Sequence, residues 1–265
     1  MSDEVYSHGH HPSVTAAHAM RTVASSAAYL EPFLEVDMDV LDIGCGPGSI
    51  TAGFADIVAP GSVIGIDRSP DVVAQAAEAN ADSANVEFRE GNVYDLDFAD
   101  HSFDVVHAHQ VLQHLADPVA ALREMRRVVR RGGIVAVREG DFGAMTWYPA
   151  VEELDRWRGL YQELARSNRG EPDAGRRLPS WVSAAGFASV EVSSSNWTYA
   201  TPEDRLSHAE SWAERVLHSA FAEQTVERGI ADQRTLERLA EGWRRWARAE
   251  DGLFLLPSVE ILARD

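Results

Sequence analysis

A doubly wound α/β fold, with helices on both faces of a mostly parallel sheet, is the class the sequence predicts. Three observations predict it. Short apolar runs rich in β-branched residues alternate with stretches of helical spacing between residues 39 and 141. The first run leads into a glycine-rich turn, Gly44-Cys45-Gly46-Pro47-Gly48, that opens a helix. The second run closes on an acid, Asp67, about 20 residues beyond that turn.

Each element follows from spacing and punctuation. Asp39 to Ile43 reads as the first strand and Ser49 to Val58 as the helix after it. Ser62 to Asp67, Val86 to Glu90 and Phe103 to His107 are the next strands, with a helix at Pro70 to Ala81. Pro118 to Val129 is expected as an amphipathic helix stopped by Gly132-Gly133, followed by a fifth strand at Ile134 to Arg138. Past Asp141 the rhythm changes to a helix over Pro149 to Ser167, a polar loop with Arg169, Gly170, Pro172 and Gly175, and a helix over Leu178 to Ala185. Ala188 to Ser193 is expected as a strand, Pro202 to Gly229 and Asp232 to Glu250 as long helical segments, and Leu253 to Leu262 as the last strand. Thr15 to Tyr29, ahead of the sheet, reads as one helix. The expected organisation is a single domain over residues 1–265, since that length fits one large domain better than two. It divides into an N-terminal cap at 1–30, a core at 31–141, a lid insertion at 142–175 and a C-terminal part at 176–265, whose helices over 202–250 stand between the last two strands.

Composition excludes several classes. No apolar run approaches the about 20 residues of a membrane span, and Met1 to Pro12 is polar with neither the basic nor the apolar region of a secretory signal, so a cytoplasmic protein is expected. The single cysteine, Cys45, excludes an intramolecular disulfide and a multi-cysteine metal site. A formal net charge of −18 repels nucleic acid and anionic membrane surfaces. Lysine is absent, and Arg123, Arg126, Arg127 and Arg130 recur at helical spacing, which reads as a solvated face and not a basic patch. The expected partner is a small molecule, with a homodimer as the assembly considered.

The run Val40 to Gly48 carries the chemistry. Glycine adopts positive φ and has no Cβ, so a ligand can lie against main-chain amides at the carboxyl end of a strand. Asp67 is placed to accept from both hydroxyls of a ribose. Nicotinamide dinucleotides use a similar acid, but their G-x-G-x-x-G fingerprint seats a pyrophosphate on the helix N-terminus. Here the glycines are spaced G-x-G-x-G, and Pro47 removes an amide donor. A nicotinamide-dependent oxidoreductase therefore stays an alternative, disfavoured further because a Tyr-x-x-x-Lys pair cannot exist without lysine. A binding protein without transferase activity is the other alternative.

Leu-Asp-Ile-Gly-Cys-Gly-Pro-Gly at 41–48, Ile-Gly-Ile-Asp at 64–67, Glu-Gly-Asn-Val at 90–93 and Ser-Phe-Asp-Val-Val at 102–106, continuing through Gln110 to Leu115, stand in one order. With them the chain resembles the class I S-adenosylmethionine-dependent methyltransferases, most nearly the ubiquinone and menaquinone biosynthesis (type 11) branch, over roughly Leu30 to Asp141. The resemblance implies a Rossmann-like doubly wound, seven-stranded, mostly parallel sheet with helical lid insertions. It implies S-adenosyl-L-methionine as cofactor and methyl transfer to O, N or C of a small, hydrophobic or aromatic metabolite. Position by position, it implies that Gly44, Cys45 and Gly46 line the methionine part, with Asp42 and Gly48 in the same motif. Asp67 would hold the ribose and Arg68 flank the adenine. Gly91, Asn92 and Val93 would follow, Asn92 offering its amide oxygen to the adenine amino group where many relatives carry aspartate. His109 and Gln110 would approach the methionine moiety, and His114, further along, is either in the site or a packed histidine.

Displacement at an activated sulfonium needs alignment above all, which can supply about 7–11 kcal/mol of the barrier, and a base only when the acceptor carries a proton. His10, His11 and His18 are the candidate bases, against the alternative of a solvated N-terminus. For the cluster His8, His10 and His11, irregular spacing and the lack of neighbouring acids argue against a metal. Arg21, one turn after His18 on the expected helix, is placed to reach the carboxylate of the cofactor. Arg138, Glu139 and Asp141 follow strand five toward the substrate side. Phe142, Met145, Trp147 and Tyr148, just beyond, suit either an aromatic acceptor or the packing of a lid. Trp212, Trp243 and Trp246 read as core.

Overall fold

The computed structural model describes residues 18–265. Five strands run parallel in the order β3-β2-β1-β4-β5: β1 Val40–Ile43, β2 Val63–Asp67, β3 Val86–Glu90, β4 Phe103–His109 and β5 Val129–Gly140. β8 (Leu253–Arg264) lies antiparallel to β5, and β7 (Ser189–Tyr199) pairs along nearly the whole of β8. Beyond the end of β5 the same edge of β8 takes up β6, Thr146–Tyr148. This short strand makes eight in place of the expected seven. It holds only three residues, too few for an alternating pattern to stand out in the sequence.

All four residues of β1 are buried because helices cover both faces of the sheet. Side-chain alternation divides them. Leu41 and Ile43 join Val106, Ala108, Val135 and Val137 under α4 (Pro118–Val128) and α6 (Ala174–Ala185). Val40, Val63, Val105 and Ala136 pack on the other face against α1 (Val23–Ser26) and α2 (Ser49–Val58); α3 (Pro70–Ala79) links β2 to β3. A third cluster has a different make-up. Phe142, Trp157, Tyr161, Trp212, Trp243, Trp246 and Phe254 bring together α5 (Glu152–Ser167), α7 (Pro202–His218), α8 (Ala220–Glu227), α9 (Gln233–Ala247) and the first half of β8. Trp157 meets two indoles edge to face, 4.5 Å from Trp212 and 4.8 Å from Trp243 between ring centroids, while Trp212 and Trp243 stack at 5.9 Å.

Three local expectations are corrected. The helix expected over Pro118 to Val129 ends at Val128, without the Gly132-Gly133 stop, and β5 starts at once rather than at Ile134, because buried Val129 already pairs with Phe103. The glycines lie inside the strand at its register shift, where a Cβ on Gly133 would sit 2.6 Å from the carbonyl oxygen of Asp104. The helix expected over Thr15 to Tyr29 is broken within the described residues. Thr22 is extended and caps a separate turn, accepting from the Ser25 amide while the Ser25 side chain answers the Thr22 amide. Pro202 to Gly229 is two helices, because Ser219 ends one and caps the next through Phe221 N–H. Two arginines of α4 are anchored by ion pairs at the surface, Arg127 to Glu124 and Asp100 and Arg126 to Asp265, as is Arg130, just beyond the helix, by Asp39 and Asp104, while Arg123 donates to the Ala184 carbonyl. Among the described residues no helix is long and apolar enough to cross a membrane.

Candidate active site

β1 is where the strand order reverses, with β2 and β3 on one side and β4 and β5 on the other. Open α/β sheets bind ligands outside the carboxyl ends of the strands at such a point. A cavity of about 220 Å³ lies there, walled by Gly44 to Pro47 after β1, Asp67 and Arg68 after β2, Gly91 and Val93 after β3, and His109, Gln110 and His114 after β4. His18 and Arg21 close it from the N-terminal side. Thus Arg21, Asp42, Gly44, Cys45, Gly46, Asp67, Arg68, Gly91, Val93, His109, Gln110 and His114, singled out in the sequence, border one space.

Two do not. Gly48 has φ +82° and starts α2, but a Cβ there would meet the Phe88 ring at 2.6 Å, so this glycine serves the packing of β3. Asn92 is exposed, and its Oδ1 accepts the Tyr94 amide at 3.1 Å. That local turn uses one of the two lone pairs of the oxygen expected to face an adenine, and the cavity wall passes from Gly91 to Val93 without the residue. His10 and His11 lie outside the described residues.

The remaining residues divide by what they already hold. Asp42 is buried, its Oδ1 2.7 Å from His107 Nδ1 and its Oδ2 accepting the Thr51 hydroxyl at 2.6 Å, so it ties β1 to β4 and α2. Asp67 accepts the amides of Gly46 at 3.2 Å and Ser69 at 3.0 Å, which leaves about two of the roughly four lone-pair sites of a carboxylate for a ligand. At Gly46, with φ +55°, a Cβ would meet nothing within 4 Å, so the backbone there opens on the cavity. Burial, then the charges of Asp42 and Asp67, push the Cys45 thiol up, and it stays protonated.

The segment after β4 is shaped from below. Gln110 adopts a left-handed φ of +55°, a conformation costly for a side chain and kept only where its surroundings hold it. Its amide donates to the Arg138 carbonyl at 2.8 Å, its Oε1 accepts from Arg21 at 2.8 Å, and Glu139 Oε1 accepts the amides of Val111 at 2.8 Å and Leu112 at 2.6 Å. Burial pushes the Glu139 carboxyl up to about 8. His109 is 6% exposed, and neither ring nitrogen has a hydrogen-bond partner among the described residues. Burial first, then the charges of Arg21 and Arg138, hold it well below the usual histidine range. His114 is pushed down to about 3 by burial and by Arg21. Both imidazoles are therefore neutral near pH 7.

A second, larger cavity of about 680 Å³ shares His18, Arg21, Gln110 and His114 with the first. It runs on between β7, α7 and Phe142, past Trp197, Tyr199, His208, Trp212, Arg215 and Leu256. Trp197 lies between Arg21 and Arg138, whose guanidinium carbons stand 5.2 and 4.8 Å from its ring, and its Nε1 donates to the Ser25 carbonyl at 2.8 Å. Sequence reasoning missed Trp197, Tyr199, His208 and Arg215, which stand on two separate elements in no recurring motif; the aromatic density after residue 196 was the available signal. Trp212 belongs to the core, as expected, and also reaches this wall.

The residues expected on the substrate side after strand five are corrected. Arg138 is buried against Glu260 and Ser195, Glu139 holds the loop, and Asp141 pairs with Arg176 at 2.6 Å, so none of the three borders either cavity. Of the aromatic and apolar group, Phe142 lines the larger cavity, Met145 is core, Trp147 stacks on Phe254 and Tyr148 is exposed.

Comparison with known proteins decides the family. A family profile described as a methyltransferase domain matches residues 34–198. An uncharacterized methyltransferase of Schizosaccharomyces pombe is 36% identical, with 97% of this chain and 95% of the relative covered. The chain belongs to the S-adenosylmethionine-dependent methyltransferases. A probable methyltransferase of Aspergillus luteorubrus is 31% identical over 97% of this chain and 96% of its own. In structure, phosphoethanolamine N-methyltransferase 2 of Haemonchus contortus, solved with phosphomonomethylethanolamine and S-adenosylhomocysteine, has the same fold, with a TM-score of 0.58 at 21% identity over 90% of this chain and 52% of that one. The methyltransferase uses S-adenosylmethionine, and the nicotinamide alternative is not favoured.

Proposed function

We propose that the smaller cavity holds S-adenosylmethionine and the larger one takes a small aromatic or hydrophobic acceptor, with methyl transfer where they meet. The observation that carries this is the shared wall of His18, Arg21, Gln110 and His114. The residues fit the cofactor: Gly46 opens a cradle a Cβ would fill, Asp67 keeps lone pairs for two hydroxyls, and His109 carries buried nitrogens without partners among the described residues. Ile66, Val72, Val93 and Leu115 add an apolar lining suited to a base. Gly44, Cys45 and Arg21 face the amino-acid part, where the Arg21 guanidinium meets a carboxylate. A chain at −18 that repels polyanions supports a metabolite over nucleic acid.

S-adenosylmethionine supplies a methyl group on a sulfonium; the acceptor's lone pair forms the new bond while sulfur keeps the pair of the broken one. The protein aligns the two and excludes water. His18 takes the proton when the acceptor is a hydroxyl or protonated amine, because it borders both cavities. His109 and His114, held neutral far below pH 7, are too weak as bases and act as hydrogen-bond partners. Methyl gain on a panel of phenols and quinone precursors tests this, read by mass spectrometry in wild type, Ser211→Trp and His18→Ala. Filling the larger cavity at Ser211 is expected to abolish transfer while S-adenosylhomocysteine still binds, and His18→Ala to slow it about 10²–10⁴-fold. Undiminished turnover in Ser211→Trp would overturn the acceptor assignment, and undiminished turnover in His18→Ala would leave alignment alone as the mechanism.

A further inference from the structure

One polar ring in the wall of the larger cavity is held in place by packing. His208, on α7, is half-buried, stacked on Tyr199 at 3.8 Å between centroids, lying 5.1 Å from Phe254 and meeting Trp243 edge to face at 5.5 Å. Its Nε2 is buried without a hydrogen-bond partner among the described residues. Burial first, then the charge of Arg215, pushes the ring down to about 3, so it is neutral near pH 7. Asp204, one helical turn earlier, belongs to the cap of α7, its Oδ2 accepting from the Thr201 hydroxyl at 2.6 Å.

A wall that needed only a flat ring at this position would be better served by phenylalanine, because a buried polar atom without a partner costs stability. Such an atom calls for an explanation, and a ligand supplies one. With Nε2 enclosed by protein, Nδ1 is the nitrogen left to meet what fills the cavity. His208 borders the larger cavity and not the smaller, so a group bound to it stands apart from the wall of His18, Arg21, Gln110 and His114 where transfer takes place.

From this packed imidazole in the acceptor wall, we infer that the acceptor is a flat ring system which carries, besides the atom that is methylated, a neutral hydroxyl that hydrogen-bonds His208. This rests on the assignment of the two cavities above. A hydroxyl both donates and accepts, so it pairs with either tautomer of the ring. Phe142, Trp197, Tyr199 and Trp212 give the same wall the faces for an aromatic body. A site built to bond a hydroxyl discriminates against the ligand that lacks it, because the polar group of the site is then left unpaired. His208 is thereby a specificity-determining residue.

Calorimetric titration of the full chain, saturated with S-adenosylhomocysteine, tests the inference with 1,5-, 2,6- and 2,7-dihydroxynaphthalene against 1-naphthol and 2-naphthol. At least one diol is expected to bind about tenfold or more tightly than either naphthol, beyond the factor of about two that a second equivalent hydroxyl gives by statistics. His208→Phe, which keeps the stack on Tyr199, should remove that preference, His208→Gln should keep part of it, and both should bind S-adenosylhomocysteine as wild type does. Diols that bind no better than the naphthols, with binding still blocked by Ser211→Trp, would overturn the second hydroxyl while leaving the cavity assignment standing. A preference that survives in His208→Phe would overturn the role of His208. Ligand binding indifferent to Ser211→Trp would overturn the cavity assignment itself, and no binding of any diol would overturn the inference. If His208→Phe does not fold, the diols and naphthols on the native chain decide the question.

Discussion

The two cavities meet at one wall but are built by different means. The smaller is a backbone construction: its form comes from Gly44 to Pro47 turning away from β1, from Asp67 ending β2 and from the loop after β4 bent through Gln110. The larger is a side-chain construction, in which β7, α7 and the turn at Phe142 each contribute rings or charges to a surface that no single segment describes. Backbone geometry restricts residue types at fixed spacing, so the first region leaves a motif. A wall of side chains needs only bulk and polarity, which many sequences supply, so the second leaves none.

The difference explains what could be read in advance. The parallel strands were legible because most are short runs ending in a turn that glycine or an acid marks, Val86–Glu90 to the residue although none of its five residues is buried. Asp67, Gly46 and His109, which border the smaller cavity, could be picked out by their place at the strand ends. Gly48 and Asn92 do not border it: the glycine makes room for Phe88, and the asparagine accepts within its own turn. β6 and the early start of β5 depend on pairing with distant strands, which local spacing does not record. Trp197 and Arg215 reach the site only because β7 and α7 fold back over the sheet edge.

The largest expected effect separates the regions by stability. Trp243 is wholly buried among Trp157, His208, Trp212, Trp246 and Phe254, in the aromatic cluster beside the larger cavity. Trp243→Ala should cost about 3–5 kcal/mol in denaturant unfolding, as large aromatic deletions in cores do. A loss under 1 kcal/mol would mean that the aromatic cluster does not hold the larger cavity together.

A smaller effect belongs to the wall the cavities share. The folded chain keeps a proton on Glu139 up to about pH 8, whereas an unfolded glutamate releases it near 4.3, so this group lowers stability as pH rises across that range. His109, His114 and His208 act oppositely: their folded forms resist protonation, and stability falls as pH drops below about 6.5. Between pH 6.5 and 8 the Glu139 contribution remains, on the order of 2 kcal/mol at 1.36 kcal/mol per pH unit. Unfolding midpoints should decline over that interval in wild type and stay level in Glu139→Gln, which keeps an acceptor for Val111 and Leu112. The same decline in both proteins would place the titrating group elsewhere.

The backbone-built cavity is tested most directly by calorimetric titration with S-adenosylhomocysteine, on wild type and on Asp67→Ala, with NADH as the control ligand. We expect wild type to bind S-adenosylhomocysteine and not NADH, and the variant, folded, to lose about 1.5–3 kcal/mol of affinity, the usual loss for a hydrogen bond to a charged group. Unchanged affinity in a folded Asp67→Ala would contradict the placement of the cofactor at the carboxyl ends of β1 and β2.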